Sequence, residues 1–241
     1  MHGRRAGLML VLMPLNEWSV TPARAREIQL ELRGRVERTD RLPELRRIAG
    51  ADVGIDPIRK QVIAGVVVFG FPGLEELERA WAVRPLEFPY IPGLLSFREI
   101  PVLLEAFGRL EKLPDLVFYD GHGYAHPRRF GISCHLGVLL DRPTVGCAKS
   151  RLIGEYTEPA SAAGSWSPLL DEGETIGAVV RTRAGCRPIF VSIGHRISLP
   201  RAVELTLAVC DGHRIPRPTR EADRYVRRLR QARDRQGGRS R

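Results

Sequence analysis

The sequence predicts an α/β fold, a mixed β-sheet flanked by helices, and three observations predict it. Three strand-like runs come first with no helical stretch between them: RRIAGADVGID (46–56), QVIAGVVVFGF (61–71) and an alternating segment over 77–88. From residue 97 onward helical and strand patterns alternate, and consecutive strands followed by β-α alternation make a mixed sheet. The chain has 241 residues, 43% of them hydrophobic, which is enough for one large domain with a core of its own.

The elements can be justified in order. Thr21 can cap a helix with Pro22 in its first turn, running to about Arg38 with Ile28, Leu30 and Leu32 among charges. The first two strands carry β-branched runs bounded by Asp-Pro and Pro-Gly. The proline-bracketed stretch FPYIPGLLSF reads as a loop, FREIPVLLEAFGRLEKL as a helix by its apolar spacing, and DLVFYD as a buried strand. A helix over about 128–140, the strand PTVGCA, an irregular stretch over 150–173, strands near 175–182 and 188–193, and helices near 200–211 and 219–235 complete the reading. Residues 1–20 are expected to form a flexible extension, 21–236 the catalytic domain, and 237–241 a frayed basic tail.

Charge narrows the partners. A formal net charge of +10 concentrates phosphate around the protein, so nucleic acid leads as a partner and an anionic membrane surface trails. Part of that basicity is coding bias: of 38 basic residues three are lysine, Lys60, Lys112 and Lys149, and the other 35 are arginine. A lysine inside the apolar PTVGCAKS therefore points to a compact ammonium at that place. Cys134, Cys147, Cys186 and Cys210 show no zinc spacing and read as reduced thiols of a cytoplasmic protein. The start HGRRAGLMLVLMPL imitates a signal peptide but lacks a clean cleavage site, and no stretch reaches membrane-spanning length.

The chemistry gathers in FYDGHGYAHPRR (118–129), where an acid, two histidines and two arginines follow an apolar strand. Asp120 stands at the end of that strand, where sites in sheets with β-α connections collect; the structural alternative is a turn-capping Asp. Asp52, amid apolar neighbours in IAGADVG, must be paired, hydrogen-bonded or metal-bound unless it faces solvent. Two acids on central strands suit a divalent cation, which prefers oxygen ligands. Ser96 to Glu99 matches a capping box, yet Pro101 would press on the carbonyl of Phe97, so a helix start nearer Pro101 would free Glu99. His126 before Pro127 suits a helix beginning at PRRFG whose N-terminus could receive a phosphate, the alternative being a surface histidine. His122 reads as an exposed loop residue and His195 as one that orders a loop. Tyr90, between two prolines, is placed to stack on bases or wedge between them.

Taken in order, GADVGID, FPYIPGLLSFRE, FYDGHGYAHPRRFGISCHLGVLL, PTVGCAKSRL, PIFVSIGHRISL and RIPRPTREADRY closely resemble the successive motifs of the endonuclease V family, over roughly residues 45–230. The resemblance implies a ribonuclease H-like fold and a metal-dependent nuclease that recognises deoxyinosine in DNA or inosine in RNA and cuts at the second phosphodiester bond on its 3′ side. It implies that Asp52, Glu99 and Asp120 bind metal, with Asp223 as a fourth acid where many bacterial relatives carry histidine. His126 and Lys149 correspond to supporting residues near the scissile phosphate, Tyr90 to the tip of a wedge, and Gly93, Leu95, Gly131 and Ile132 to parts of the base pocket. Cys134, in place of a small residue, reads as packing. Two Mg²⁺ ions, or Mn²⁺, about 4 Å apart would activate water and stabilise the leaving 3′-oxygen. A monomer is expected. The alternatives are a ribonuclease H-like, structure-specific nuclease with another target, such as a hybrid or a junction, and a non-catalytic nucleic-acid-binding module.

Overall fold

The computed structural model of the protein describes residues 18–237. The signal-like start and the last basic residues lie outside that range. Trp18, inside the expected extension, is buried, with its ring 5.9 Å from Phe97 and 5.5 Å from His135. Helix α1 (Pro22–Leu32) is capped as the sequence predicts: the Thr21 hydroxyl accepts a hydrogen bond from the Arg24 amide at 3.2 Å. It ends earlier than Arg38, passing through one tight turn at Arg33–Arg35 to an extended Val36.

Strands β1 (Arg47–Asp56), β2 (Gln61–Gly70) and β3 (Glu76–Pro85) form an antiparallel meander. Helix α2 (Leu95–Phe107) leads to β4 (Leu116–Tyr119), parallel to β1, and α3 (Ile132–Leu140) leads to β5 (Thr144–Ala148), parallel to β4. Strands β6 (Trp166–Asp171), β7 (Glu174–Val180) and β8 (Ile189–His195) extend the sheet, followed by α4 (Leu199–Ala208) and α5 (Arg217–Gly237). The strand order is β3-β2-β1-β4-β5-β8-β7-β6. An antiparallel meander whose first strand, β1, lies beside the parallel strands β4 and β5 is the ribonuclease H-like arrangement.

Two expectations need correction. The stretch over 150–173 is not wholly irregular, because β6 lies within it. Pro168 disguises that strand, but β6 is the edge of the sheet, paired along its length with β7 and on its other side by a single bridge from Leu170 to Glu155, so a missing amide at Pro168 is tolerated. Its hairpin turn places Glu172 and Gly173 at φ 52° and 80°, as a tight two-residue connection requires. The helix expected over 128–140 begins only at Ile132, since Arg129 adopts a left-handed φ of 56° that no helix continues through.

The sheet has a core on each face. Ala49, Ala51, Ala64 and Val66 pack with side chains of α1, α2 and α3, whereas Ile48, Phe118, Val145 and Cys147 pack with those of α4 and α5. On the second face α5 approaches the backbone of β1 and β2 unusually closely. A Cβ on Gly50 would stand 1.9 Å from the Pro218 carbonyl oxygen, and one on Gly65 would stand 2.8 Å from Val226. Small residues on these two strands thus decide how near the charged helix comes. Gly50→Ala should push α5 outward, costing about 1–3 kcal/mol by overpacking and lowering Tm by about 2–4 °C for each of these, with cleavage reduced as well. Gly34→Ala, with no atom within 4 Å of the added carbon, should leave both unchanged in the same melting and cleavage measurements.

Candidate active site

The register of the central strands assembles the acids. Pairing between β1 and β4 runs from Ile48 with Leu116 to Ala51 with Tyr119, so the next residues are Asp52 and Asp120, side by side where the pairing stops. Side chains alternate along a strand. Gly50 and Asp52 share the face of β1 covered by α5, and Asp120 and Lys149 continue the same alternation from the core residues Phe118 and Cys147. The Lys149 ammonium hydrogen-bonds and ion-pairs with the Asp120 carboxylate. Asp223 enters from α5, next to the buried Ala222 and ion-paired to Arg227 at 2.9 Å. Glu99 comes from α2 on the opposite face, is buried, and accepts a hydrogen bond from the Tyr119 hydroxyl.

Neither alternative for this stretch holds: the capping box from Ser96 to Glu99 is absent, and the helix starts at Leu95 rather than nearer Pro101. Leu94 occupies the cap position without a side-chain hydrogen bond, and the Ser96 hydroxyl has no partner. Pro101 sits inside the helix, where it removes one backbone bond to Phe97. Helix α2 therefore starts before Glu99 and keeps it fixed in its second turn.

The charges are poorly compensated. Burial, then repulsion from Asp120 and Asp223, raises the Asp52 carboxyl to about 7, and Lys149 offsets only part of this. Burial above all, with added repulsion from Asp52 and Asp120, raises Glu99 to about 8 despite the Tyr119 hydrogen bond. Burial lowers Lys149, but its hydrogen bond and charge interaction with Asp120 outweigh that, so its pKa is raised and the ammonium stays charged. Among the described residues no three acidic, histidine or cysteine side chains stand in a finished metal-coordinating group. The donor set nevertheless fits a hard divalent cation: all four are carboxylates, they approach from three elements and an adjoining loop, and two have their pKa raised by burial first and by neighbouring carboxylate charge second.

A cavity of about 380 Å³ opens beside Asp120 and Lys149. Tyr90, Gly93, Leu95, Gly131 and Ile132 all line it, together with His126. Tyr90 stands at 68% exposure, and Arg98 lies 5.9 Å from its ring. A family model described as Endonuclease V matches residues 30–224. The chain belongs to the endonuclease V family. The Endonuclease V of Gloeobacter violaceus is 48% identical over 224 residues, covering 92% of this chain and 91% of that protein. The Streptomyces avermitilis Endonuclease V structure superposes with a TM-score of 0.85 at 44% identity, covering 90% of this chain and 96% of that one. A Ciona intestinalis Endonuclease V in complex with a 23mer DNA containing an inosine superposes with a TM-score of 0.78 at 27% identity, covering 88% and 99%.

Not every expectation about the site survives. His126 lines the cavity, but both its nitrogens are taken by backbone: Nε2 donates to the Gly93 carbonyl at 3.0 Å and Nδ1 accepts from the Arg128 amide at 3.1 Å. Burial, then the Arg128 charge, lowers its pKa to about 4, so it is neutral at pH 7. Neither nitrogen is left for a water or a phosphate in this arrangement, and the phosphate-binding helix start expected at PRRFG does not exist because α3 begins at Ile132. His122 is not an exposed loop residue. It lines the cavity and donates from Nε2 to the Ser150 carbonyl at 3.0 Å. His195 orders a loop as expected, accepting from the Glu37 amide at 3.2 Å, and Cys134 is buried in packing. Gln29, Gly121 and Ser150 also line the cavity; the sequence reading missed them, since a glutamine amid helical charge carries no signal of its own.

The raised carboxyls make a stability prediction. An acid whose folded pKa exceeds its unfolded value costs stability above the unfolded pKa, and the cost is complete above the folded one. For Asp52 the window runs from the ordinary carboxylate value of 3.8 to about 7. In EDTA at pH 8, Asp52→Asn should melt several degrees higher than wild type while losing cleavage in Mg²⁺. A lower melting temperature for the variant would show that Asp52 is favourably paired.

Proposed function

We propose that this chain, acting as a cytoplasmic monomer, nicks one strand at the second phosphodiester bond 3′ to a deaminated adenine, with deoxyinosine in DNA the primary substrate and inosine in RNA a second one. Membership of the endonuclease V family makes it a phosphodiester hydrolase that cuts near deoxyinosine in DNA, and the Ciona intestinalis relative is bound to inosine-containing DNA. The observation that carries the reading is that a cavity of suitable size for a base shares Asp120 and Lys149 with the carboxylate cluster. Base recognition and hydrolysis therefore fall within a few residues of each other.

The roles follow from the contacts. Asp52, Glu99, Asp120 and Asp223 would hold Mg²⁺, or Mn²⁺. When bound, the cation supplies a water of lowered pKa and neutralises charge developing on the phosphate. Lys149, whose ammonium lies beside Asp120, would contribute a positive charge to the phosphate. Water attacks in line, and the strand is left with a 3′-hydroxyl and a 5′-phosphate. His126 acts indirectly, through the loop it ties. The extruded base enters between Gly93 and Leu95 on one side and Gly131 and Ile132 on the other; a Cβ on Gly131 would stand 2.4 Å from the His122 carbonyl, so only glycine keeps that wall in place. Tyr90, exposed at the mouth, fills the gap in the stack. Four free cysteines, three of them buried, agree with a reducing compartment.

The reading is tested by mapping cuts on matched oligonucleotides carrying one deoxyinosine or one inosine, in Mg²⁺ and in EDTA. One Mg²⁺-dependent cut two bonds 3′ of the lesion is expected; lesion-independent cutting of hybrids or junctions would overturn it. Tyr90→Ala should lose about 1–3 kcal/mol of stacking and lower the ratio of duplex to single-strand cleavage, because only the duplex has a stack to hold open. An unchanged ratio and unchanged lesion preference would reduce FPYIPG to an ordinary rigid loop.

A further inference from the structure

Behind the cavity lies a knot of hydrogen bonds that the chemistry above does not use. The Gly93 carbonyl receives three donors: Gln29 Nε2 at 3.0 Å, His126 Nε2 at 3.0 Å and Arg128 Nη2 at 2.8 Å. Gln29 is buried at 1% exposure. Its Nε2 also donates to the Phe130 carbonyl at 3.1 Å, and its Oε1 accepts from Arg128 Nε at 2.6 Å. One side chain of α1 thus grips both walls of the cavity, at Gly93 and at the residue before Gly131. Gly93 itself sits at a left-handed φ of 78°, which turns its carbonyl toward these donors.

We infer that Gln29, with Arg128, is a positioning residue for lesion recognition: its amide sets the separation of the two walls between which the base is held, and so governs discrimination for inosine without touching the reacting phosphate. The physical reason is the amide's two-sided chemistry. Two donors and one acceptor on a single rigid plane hold two carbonyls and a guanidinium at set distances, and a buried network with every member satisfied resists the relaxation that would admit a different base. A carboxylate at this place would repel both carbonyls, and an aliphatic chain would leave them unpaired. The inference rests on the cavity being the base pocket.

Gln29→Met keeps the volume and the helix propensity while deleting the amide. Arg128→Met removes the other half of the knot from a more exposed position, which keeps the test decisive should the buried variant fold poorly. For each, kcat and KM are measured on single-stranded deoxyinosine oligonucleotides in Mg²⁺, and binding of the same oligonucleotide with and without deoxyinosine is measured in Ca²⁺. The expected result is KM raised about tenfold, the loss of one or two net hydrogen bonds, with kcat within about threefold of wild type, binding of lesion-free strand unchanged, and preference for inosine over adenine reduced. A folded variant with wild-type KM and preference, or one that loses lesion-bearing and lesion-free binding equally, would overturn the inference. Failure of the wild-type protein to prefer inosine would instead defeat the base-pocket reading.

Discussion

Like-charge repulsion among carboxylates at the end of β1 and β4 is the constraint on which the rest of this molecule depends. Asp52 and Asp120 are brought level by strand register, and Asp223 and Glu99 arrive from helices on opposite faces. Left to themselves such acids would spread apart or take up protons. They remain together because the elements that carry them are fixed by packing far larger than the local cost, through the apolar faces of β1, β2, β4 and β5. The glycines that admit α5 are part of the same construction, since they let Asp223 approach without a side chain in between. The site is thus strained electrostatically and supported mechanically, the pattern expected where a cation supplies the missing charge.

The second construction is the cavity beside it. Its walls are loops, which by themselves would be mobile, yet Gly93 is held by three donors and the loop from Gly121 to Gly131 is tied to β8, to Ser150 and to α1. Arg129 adds ion pairs to Asp171 and Glu174 at 2.8 Å. Lys149 connects the two halves, because its ammonium contacts Asp120 while its chain segment lines the cavity. The cavity and the carboxylate cluster are therefore joined through one short stretch after β5.

Much of this was readable in the sequence where local pattern and global packing agree. The β-branched runs of β1 and β2, the buried Leu116 to Phe118 before Asp120 and the exposed Tyr90 in FPYIPG behave as their residues dictate. What was not readable depends on contacts distant in the chain. The strand β6 is hidden by Pro168, tolerated only because no further strand follows it at the edge. The start of α3 is delayed by the left-handed Arg129, whose side chain is bound to residues 42 and 45 positions away. Ser96 and Glu99 have the spacing of a capping box, but burial of Glu99 against Tyr119 decides otherwise. Gln29 is invisible in sequence, since its partners lie 64 and 101 residues away.

The measurement that bears most directly on the carboxylate cluster is the melting temperature of the wild-type chain in Mg²⁺ and in EDTA across pH 5 to pH 8. Asp52 and Glu99 have raised pKa values of about 7 and about 8, so the EDTA form should lose their contribution as pH rises through that range, while a cation that binds the ionised carboxylates stabilises the folded state by mass action. The difference between Mg²⁺ and EDTA should be small at pH 5 and grow to several degrees at pH 8. Identical melting temperatures in Mg²⁺ and EDTA at pH 8 would contradict the assignment of these four acids as a cation site.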